Sequence, residues 1–349
     1  MGKLIQNSAR SRNFGCRITV NVTFGEIPAV IIENEVIRMT ILAGRGADVV
    51  EFLYKPMDLD FVWLTNKGIP TKKVPENHPD DVDSFLNGYP GGWQSVFPNG
   101  GAPSQVADIK FGQHDEVAML SWHYTIVKDT TDEVSVKFFV ETKKTPFRVS
   151  KTYSLKKMDK KCIIEECVEN LSSDQWEVMW GAHISFGAPL VDSNSTISLP
   201  KGGRVIPHPE SISSAGRRVG STKVFDWPIG TSKEQKEIDF SKLPKVKTES
   251  EMLYIENLSE AWYQIENKEK KIGAKVTWDL ELMPYLWYWQ EYGASEDYPW
   301  YGKHYNIGLE PFSSYPTNGL SEAVKNGTAL KFKPKEMKTS KIEFEVINL

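Results

Sequence analysis

Cysteine is scarce in this chain: its 349 residues hold three, Cys16, Cys162 and Cys167. They form no Cys-x-x-Cys pair and no Cys/His spacing suited to a metal. A sparse, odd set excludes a disulfide framework and fits a reducing compartment. Long apolar runs are absent as well, since no segment approaches the roughly 20 residues that span a bilayer. The opening Met1-Gly2-Lys3-Leu4-Ile5-Gln6 lacks the apolar stretch of a secretion signal. Nor is charge of one sign in excess: 42 basic and 46 acidic side chains leave a net charge of -4. That mixture offers no basic face for nucleic acid. No internal repeat, low-complexity tract or linker divides the sequence. The expectation is therefore one cytoplasmic domain over residues 1–349, its first 13 residues loosely ordered, with neither nucleic acid nor membrane as a partner.

Helical periodicity is also in short supply. Short segments of period two dominate, rich in β-branched and aromatic residues and bounded by Gly, Pro, Asn or Asp. Strands are expected over 17–23, 29–32, 37–42, 49–53, 119–127, 134–140, 148–155, 162–169 and 342–347, and only 232–240 suggests a short helix. Many strands and few helices predict an all-β fold, an antiparallel sandwich or barrel. Two polar stretches, 66–83 and 229–251, read as surface excursions of a length that usually carries function. Apolar residues at 40% supply an ample core, and 11 Trp and 13 Tyr suit either that core or a carbohydrate face.

Three islands stand out. Trp180-Gly181-Ala182-His183-Ile184-Ser185-Phe186-Gly187 and Asn306-Ile307-Gly308-Leu309-Glu310-Pro311-Phe312 each set one titratable group among apolar and glycine neighbours. Burial there would move both pKa values toward neutrality, as an acid/base pair requires. The third island, Gly91 to Gly101 followed by His114, reads as the wall of a small-molecule site. Each residue also has a plainer reading: His183 as a hydrogen-bonded core histidine, Glu310 as a turn carboxylate, His114 as part of a surface turn. His78, His208 and His304 sit in polar or Pro-flanked loops and read as solvated, although His304 lies close enough to Glu310 to reach a cleft rim.

Taken in order, these islands resemble the galactose mutarotase-like superfamily, the aldose 1-epimerases and their hexose-6-phosphate relatives. Gly91-Gly92-x-x-x-Val96-Phe97-Pro98 is similar to the family's glycine pair and Phe-Pro loop, and His114 with Trp122 to its spaced His and Trp. Gly181-Ala182-His183-Ile184-Ser185-Phe186 resembles the segment of the catalytic histidine, and Leu309-Glu310-Pro311 that of the catalytic glutamate. Residues 34–63, including Ala43-Gly44-Arg45-Gly46-Ala47, are similar to the opening strands.

The resemblance implies a large β-supersandwich that interconverts α and β anomers of a hexose without metal or organic cofactor. By it, Glu310 is the base, His183 the acid, and His114 a second imidazole at the ring oxygen or a neighbouring hydroxyl. Trp93, Gln94, Asn99 and Trp122 are candidates for the sugar platform. Alternation along Tyr285 to Gln290 puts Trp287 and Trp289 on one face as stacking rings, against a reading of two-sided burial. Phosphate-binding members carry arginines near the Gly-Gly pair and after the spaced His, where this chain has Pro90 and Val117-Ala118-Met119, which favours a neutral sugar. The family's hydroxyl-binding aspartate has no secure match among Glu256, Glu260 and Asp279. Arg45 or Arg148 could supply positive charge, or a strand-edge salt bridge. Alternatives are a mutarotase of a phosphorylated or acidic hexose, served by Arg45, Lys72, Lys73 or Lys303, and a non-catalytic carbohydrate-binding protein.

Overall fold

The computed structural model describes residues 12–69 and 82–349; Lys72, Lys73, His78 and the first 11 residues lie outside them. Two large antiparallel sheets face one another. The 12-stranded sheet runs, edge to edge, Arg17–Phe24, Ile27–Glu33, Ile37–Leu42, Asp48–Tyr54, Trp93–Val96, Gly181–Gly187, Asn306–Phe312, Tyr285–Tyr292, Thr248–Glu256, Arg204–Pro207 and Phe225–Asp226, with Leu59–Asp60 paired to the fourth. The 8-stranded sheet runs Ser195–Ser198, Trp262–Asn267, Ile272–Thr277, Met337–Asn348, Lys161–Asn170, Phe147–Lys156, Glu133–Glu141 and His123–Asp129. This is the all-β supersandwich expected from the sequence. Among the described residues no helix is long and apolar enough to cross a membrane.

Period-two alternation decides what lies between the sheets. Trp93, Ala182, Ile184, Phe186, Ile307, Leu309, Leu286 and Tyr288 join one continuous core cluster with side chains from both sheets. At its centre the Phe344 ring packs 4.4 Å from Phe52 and 4.5 Å from Trp93, centroid to centroid, and also meets Phe61 and Phe186. The intervening residues of the same strands, Gln94, His183, Glu310, Trp287 and Trp289, therefore point to the opposite, outward face.

Two local expectations are corrected. Residues 119–127 do not form one strand: Val117–Met119 is a 3-10 turn and the strand begins at His123. The Leu120 carbonyl accepts from Gly46 N–H, and Trp122 N–H donates to the Ala43 carbonyl, so this stretch is tied to the 42–47 turn rather than to a ladder. Residues 232–240 form no helix either. Gln235 adopts a left-handed φ of 59°, and Glu237–Asp239 turns back to pair with Ile229–Thr231. The excursion at 229–251 is anchored rather than loose, because Phe240 and Leu243 are buried in the core.

Replacing Phe344 by Ala should remove about 3–5 kcal/mol, the usual cost of emptying a large aromatic site. A urea denaturation series checks this; a loss below about 1 kcal/mol would show that the sheets are held elsewhere.

Candidate active site

Antiparallel register brings the two expected groups together. The histidine strand Gly181–Gly187 lies between Trp93–Val96 and the glutamate strand Asn306–Phe312, near the middle of the large sheet. Gly181 faces Phe312 and Ser185 faces Gly308, so His183 and Glu310 stand opposite one another. Their Nε2 and Oε1 atoms are 3.5 Å apart, with both side chains almost wholly buried. Gly308 makes this possible: a Cβ there would stand 2.3 Å from Glu310 Oε1, so any larger residue would displace the carboxyl.

The distance is that of an ion pair, but the surroundings disfavour ions. Burial drives the Glu310 pKa well above its ordinary value and lowers that of His183 to about 4. Burial thus pushes both partners toward their uncharged forms, the carboxyl toward protonation and the imidazole toward neutrality.

His114 is buried and its ring meets that of His183 edge to face, with centroids 5.4 Å apart. Its Nδ1 accepts from Gly101 N–H at 3.2 Å, which leaves Nε2 as the N–H donor of the neutral ring. Burial, then the neighbouring His183, keep its pKa well below the usual value. The residue sits at φ 51°, a conformation that costs a non-glycine residue roughly 1 kcal/mol or more. Dense bonding holds it there. His114 N–H donates to the Gly101 carbonyl, Asp115 accepts from Gly112 N–H and Lys144 Nζ, and Glu116 accepts from Lys143 N–H.

The other expected site residues divide. Gln94 stands directly across from His183. Trp289 meets the His183 ring at 5.8 Å. Trp287 faces Glu310 across the ladder, but it is fully buried, stacked on Phe312 at 3.6 Å, with its indole N–H donating to the Ser314 carbonyl. Arg45 lies 3.9 Å from Asp48. Three candidates point away. Trp93 projects into the inter-sheet core, because it is one residue out of phase with Gln94. Trp122 donates to the Val117 carbonyl beneath Lys151. Asn99 spends its amide on the Ala102 and Gly112 carbonyls and on Leu320 N–H. Of the candidate hydroxyl-binding acids, Glu256 pairs with Arg204, Asp279 accepts from Glu281 N–H in a turn, and Glu260 is exposed. Arg148 makes the alternative strand-edge salt bridges, to Glu141 and Glu169, and Lys303 is exposed.

His208 and His304 are buried, contrary to the solvated reading. His208 Nδ1 lies 2.6 Å from the Tyr254 hydroxyl, and His304 packs edge-on against Trp63 and Trp300. Those two rings, with Phe85, Tyr89 and Trp289, form an aromatic surround that the sequence reading missed. The Tyr89 hydroxyl reaches within 3.5 Å of His183 Nδ1. Its sequence signal was its position two residues before the Gly91-Gly92 pair.

The buried histidines fix the sign of one pH effect. His183 and His208 each have a folded-state pKa lowered to about 4 by burial, below the unfolded value of about 6.5. The stability they contribute is whole above pH 6.5 and lost as pH falls through 4, because the unfolded chain binds protons first. His208→Gln should therefore show a shallower decline of denaturation midpoint across that window than the wild type. Parallel declines would contradict the assignment.

The chain belongs to the family described as "Domain of unknown function (DUF4432)", whose model matches residues 26–346. No curated protein matches it significantly. Among solved structures, it resembles a galactose mutarotase-like protein from Clostridium acetobutylicum, at 17% identity over 96% of this chain and 99% of that one, with a TM-score of 0.65. A Klebsiella pneumoniae protein provisionally assigned as an aldose 1-epimerase aligns over 95% of this chain and 83% of its own, at 12% identity and TM-score 0.70. A galactose mutarotase-like protein from Lactobacillus casei gives 16% identity over 91% and 100%, with TM-score 0.57. The fold is that of these galactose mutarotase-like structures.

Proposed function

We propose, with that membership and fold as the premise, that the protein is an aldose 1-epimerase, interconverting the anomers of a hexose by acid/base ring opening. One observation carries the reading: an imidazole nitrogen and a carboxyl oxygen 3.5 Å apart on a buried face that disfavours the charged form of each. The two oxygens on an anomeric carbon are separated by only two bonds, so neighbouring acceptor and donor atoms can engage both at once.

The base of the couple takes the proton from the C1 hydroxyl while the acid gives one to the ring oxygen. The C1–O5 bond breaks, C1 becomes a carbonyl, and in net one proton has crossed from the acid to the base. Rotation about C1–C2 exposes the other carbonyl face. The O5 hydroxyl then attacks C1, returns its proton to the former acid, and the former base protonates O1, restoring the couple. The His114 Nε2–H can donate to a sugar oxygen beside the couple, and Trp289 offers an apolar ring. Tyr89 meets the His183 ring, Phe85 and Trp63 pack against Tyr89, and Trp300 packs against Trp63.

His183→Asn and Glu310→Gln should each lower anomer exchange by about 10²–10⁴-fold, the usual worth of general acid–base assistance. Exchange NMR or polarimetry on freshly dissolved α-glucose and α-galactose reads this directly. The wild-type pH profile should be flat through 6.5, with an acid limb near pH 4, where His183 acquires a second proton for the couple. Near-normal rates in either variant would remove that residue from the mechanism. Equal exchange with and without wild-type protein across a panel of aldoses would leave a binding protein on the same fold.

A further inference from the structure

Beside the acid/base couple lies a set of buried polar atoms that the reaction does not use. Asp48, Gln94, His183 and Glu310 stand side by side on four consecutive strands. Gln94 pairs with His183 in register, and Gln94 Nε2 donates to Asp48 Oδ2 at 2.8 Å. Asp48 is fully buried and Gln94 is 2% exposed. The guanidinium of Arg45 approaches from the preceding turn, 3.9 Å from Asp48 Oδ2, and its electrostatic neighbours are Asp48 and Tyr89, the latter in contact with His183. Among the described residues, Asp48 Oδ1, Gln94 Oε1 and Arg45 Nε and Nη2 have no hydrogen-bond partner. Each orphan of this kind costs about 1–3 kcal/mol unless something fills the gap.

The pattern of the orphans identifies what fits. Two are acceptors and two are donors, on three side chains that lie next to one another. A phosphate or carboxylate would meet the guanidinium, but it would also face the carboxyl of Asp48 and the amide oxygen of Gln94. An ammonium would be opposed by Arg45. A sugar hydroxyl satisfies both kinds at once, donating to Asp48 or Gln94 and accepting from Arg45. The strand of Asp48 lies two inter-strand spacings, about 10 Å, from that of His183, with Gln94 on the strand between them.

We propose that Asp48, with Arg45 and Gln94, forms the specificity subsite of this protein, reading the hydroxyls across the ring from C1, at C3 and C4, of an uncharged aldose. This rests on the reading of the His183–Glu310 couple as the site of anomerisation. It also places the hydroxyl-reading carboxylate on the early strands, away from Glu256, Glu260 and Asp279.

The test compares wild type, Asp48→Asn and Arg45→Lys on glucose, galactose, their 3-deoxy and 4-deoxy analogues, glucuronate and glucose 6-phosphate. Exchange NMR measures turnover, ligand-observed NMR measures binding, and circular dichroism confirms folding of each variant. In the wild type, loss of the 3- or 4-hydroxyl should raise KM about tenfold to a hundredfold, the worth of a hydrogen bond to a charged group. Asp48→Asn should raise KM for the parent sugar similarly while the deoxy penalty disappears, and Arg45→Lys should blunt the same penalty. If the folded variants keep the full deoxy penalty, or the wild type favours the charged sugars, the subsite is refuted while anomerisation stands. If the wild type binds sugars without turning them over and Asp48→Asn weakens that binding, the subsite stands and the reaction fails. If the wild type does neither, both fall.

Discussion

A carboxyl group and an imidazole buried against each other, with water removed from both, set the terms for this molecule. Burial is the influence resolved on Glu310, and it is the largest on His183. Neither can hold a charge alone at low cost in such a place, so each is pushed toward its uncharged form. That state is already equipped for a reaction in which one proton is taken and another given. The close approach allowed by Gly308, the constrained loop that presents His114, and the rings of Trp63, Tyr89 and Trp289 all preserve the same dry contact.

Elsewhere the sandwich handles buried charge differently. Between the sheets, Lys151 lies 3.6 Å from Glu166, equally buried, but that carboxylate also accepts from Ser95 and from the Trp180 indole N–H. Lys151 further approaches the Ala47 carbonyl. There the partners saturate one another and the pair can only be structural. On the outward face, the Asp48–Gln94–Arg45 group retains unfilled bonding capacity. The difference between a structural and a functional buried pair here is one of satisfaction, since depth is the same for both. Asp48 lies 3.9 Å from Arg45, so that guanidinium already has a carboxyl beside it.

Much of this was legible in the sequence, for reasons that can be stated. Alternation along Gly181 to Gly187 and Asn306 to Phe312 is local, and so are the turn residues that bound the strands; both can be read without coordinates. The resemblance of four ordered motifs then supplied the pairing of His183 with Glu310. What could not be read was phase and partnership. Trp93 and Gln94 are neighbours in sequence and occupy opposite faces of one strand, so choosing both for the platform had to fail for one. Asn99 and Trp122 resemble binding residues in composition, but their polar atoms are consumed by loop carbonyls that only the fold brings near. Asp48 attracted no notice because its significance lies in an atom left without a partner, which no linear pattern records. The aromatic surround escaped for a related reason: Trp63, the Phe85–Tyr89 pair and Trp300 come from three separate segments of the chain, and each alone reads as ordinary core.

The central claim is that burial keeps the couple in its uncharged forms, and nitrogen-15 NMR of the His183 ring reports it directly. Across a titration from pH 8 to pH 4, with His183→Asn used to assign the signal, the ring should keep the shifts of a neutral imidazole through 6.5 and begin to charge only near pH 4. A ring already charged at neutral pH, or one titrating at the ordinary imidazole value of about 6.5, would show that water reaches the couple and that the account of its chemistry is wrong.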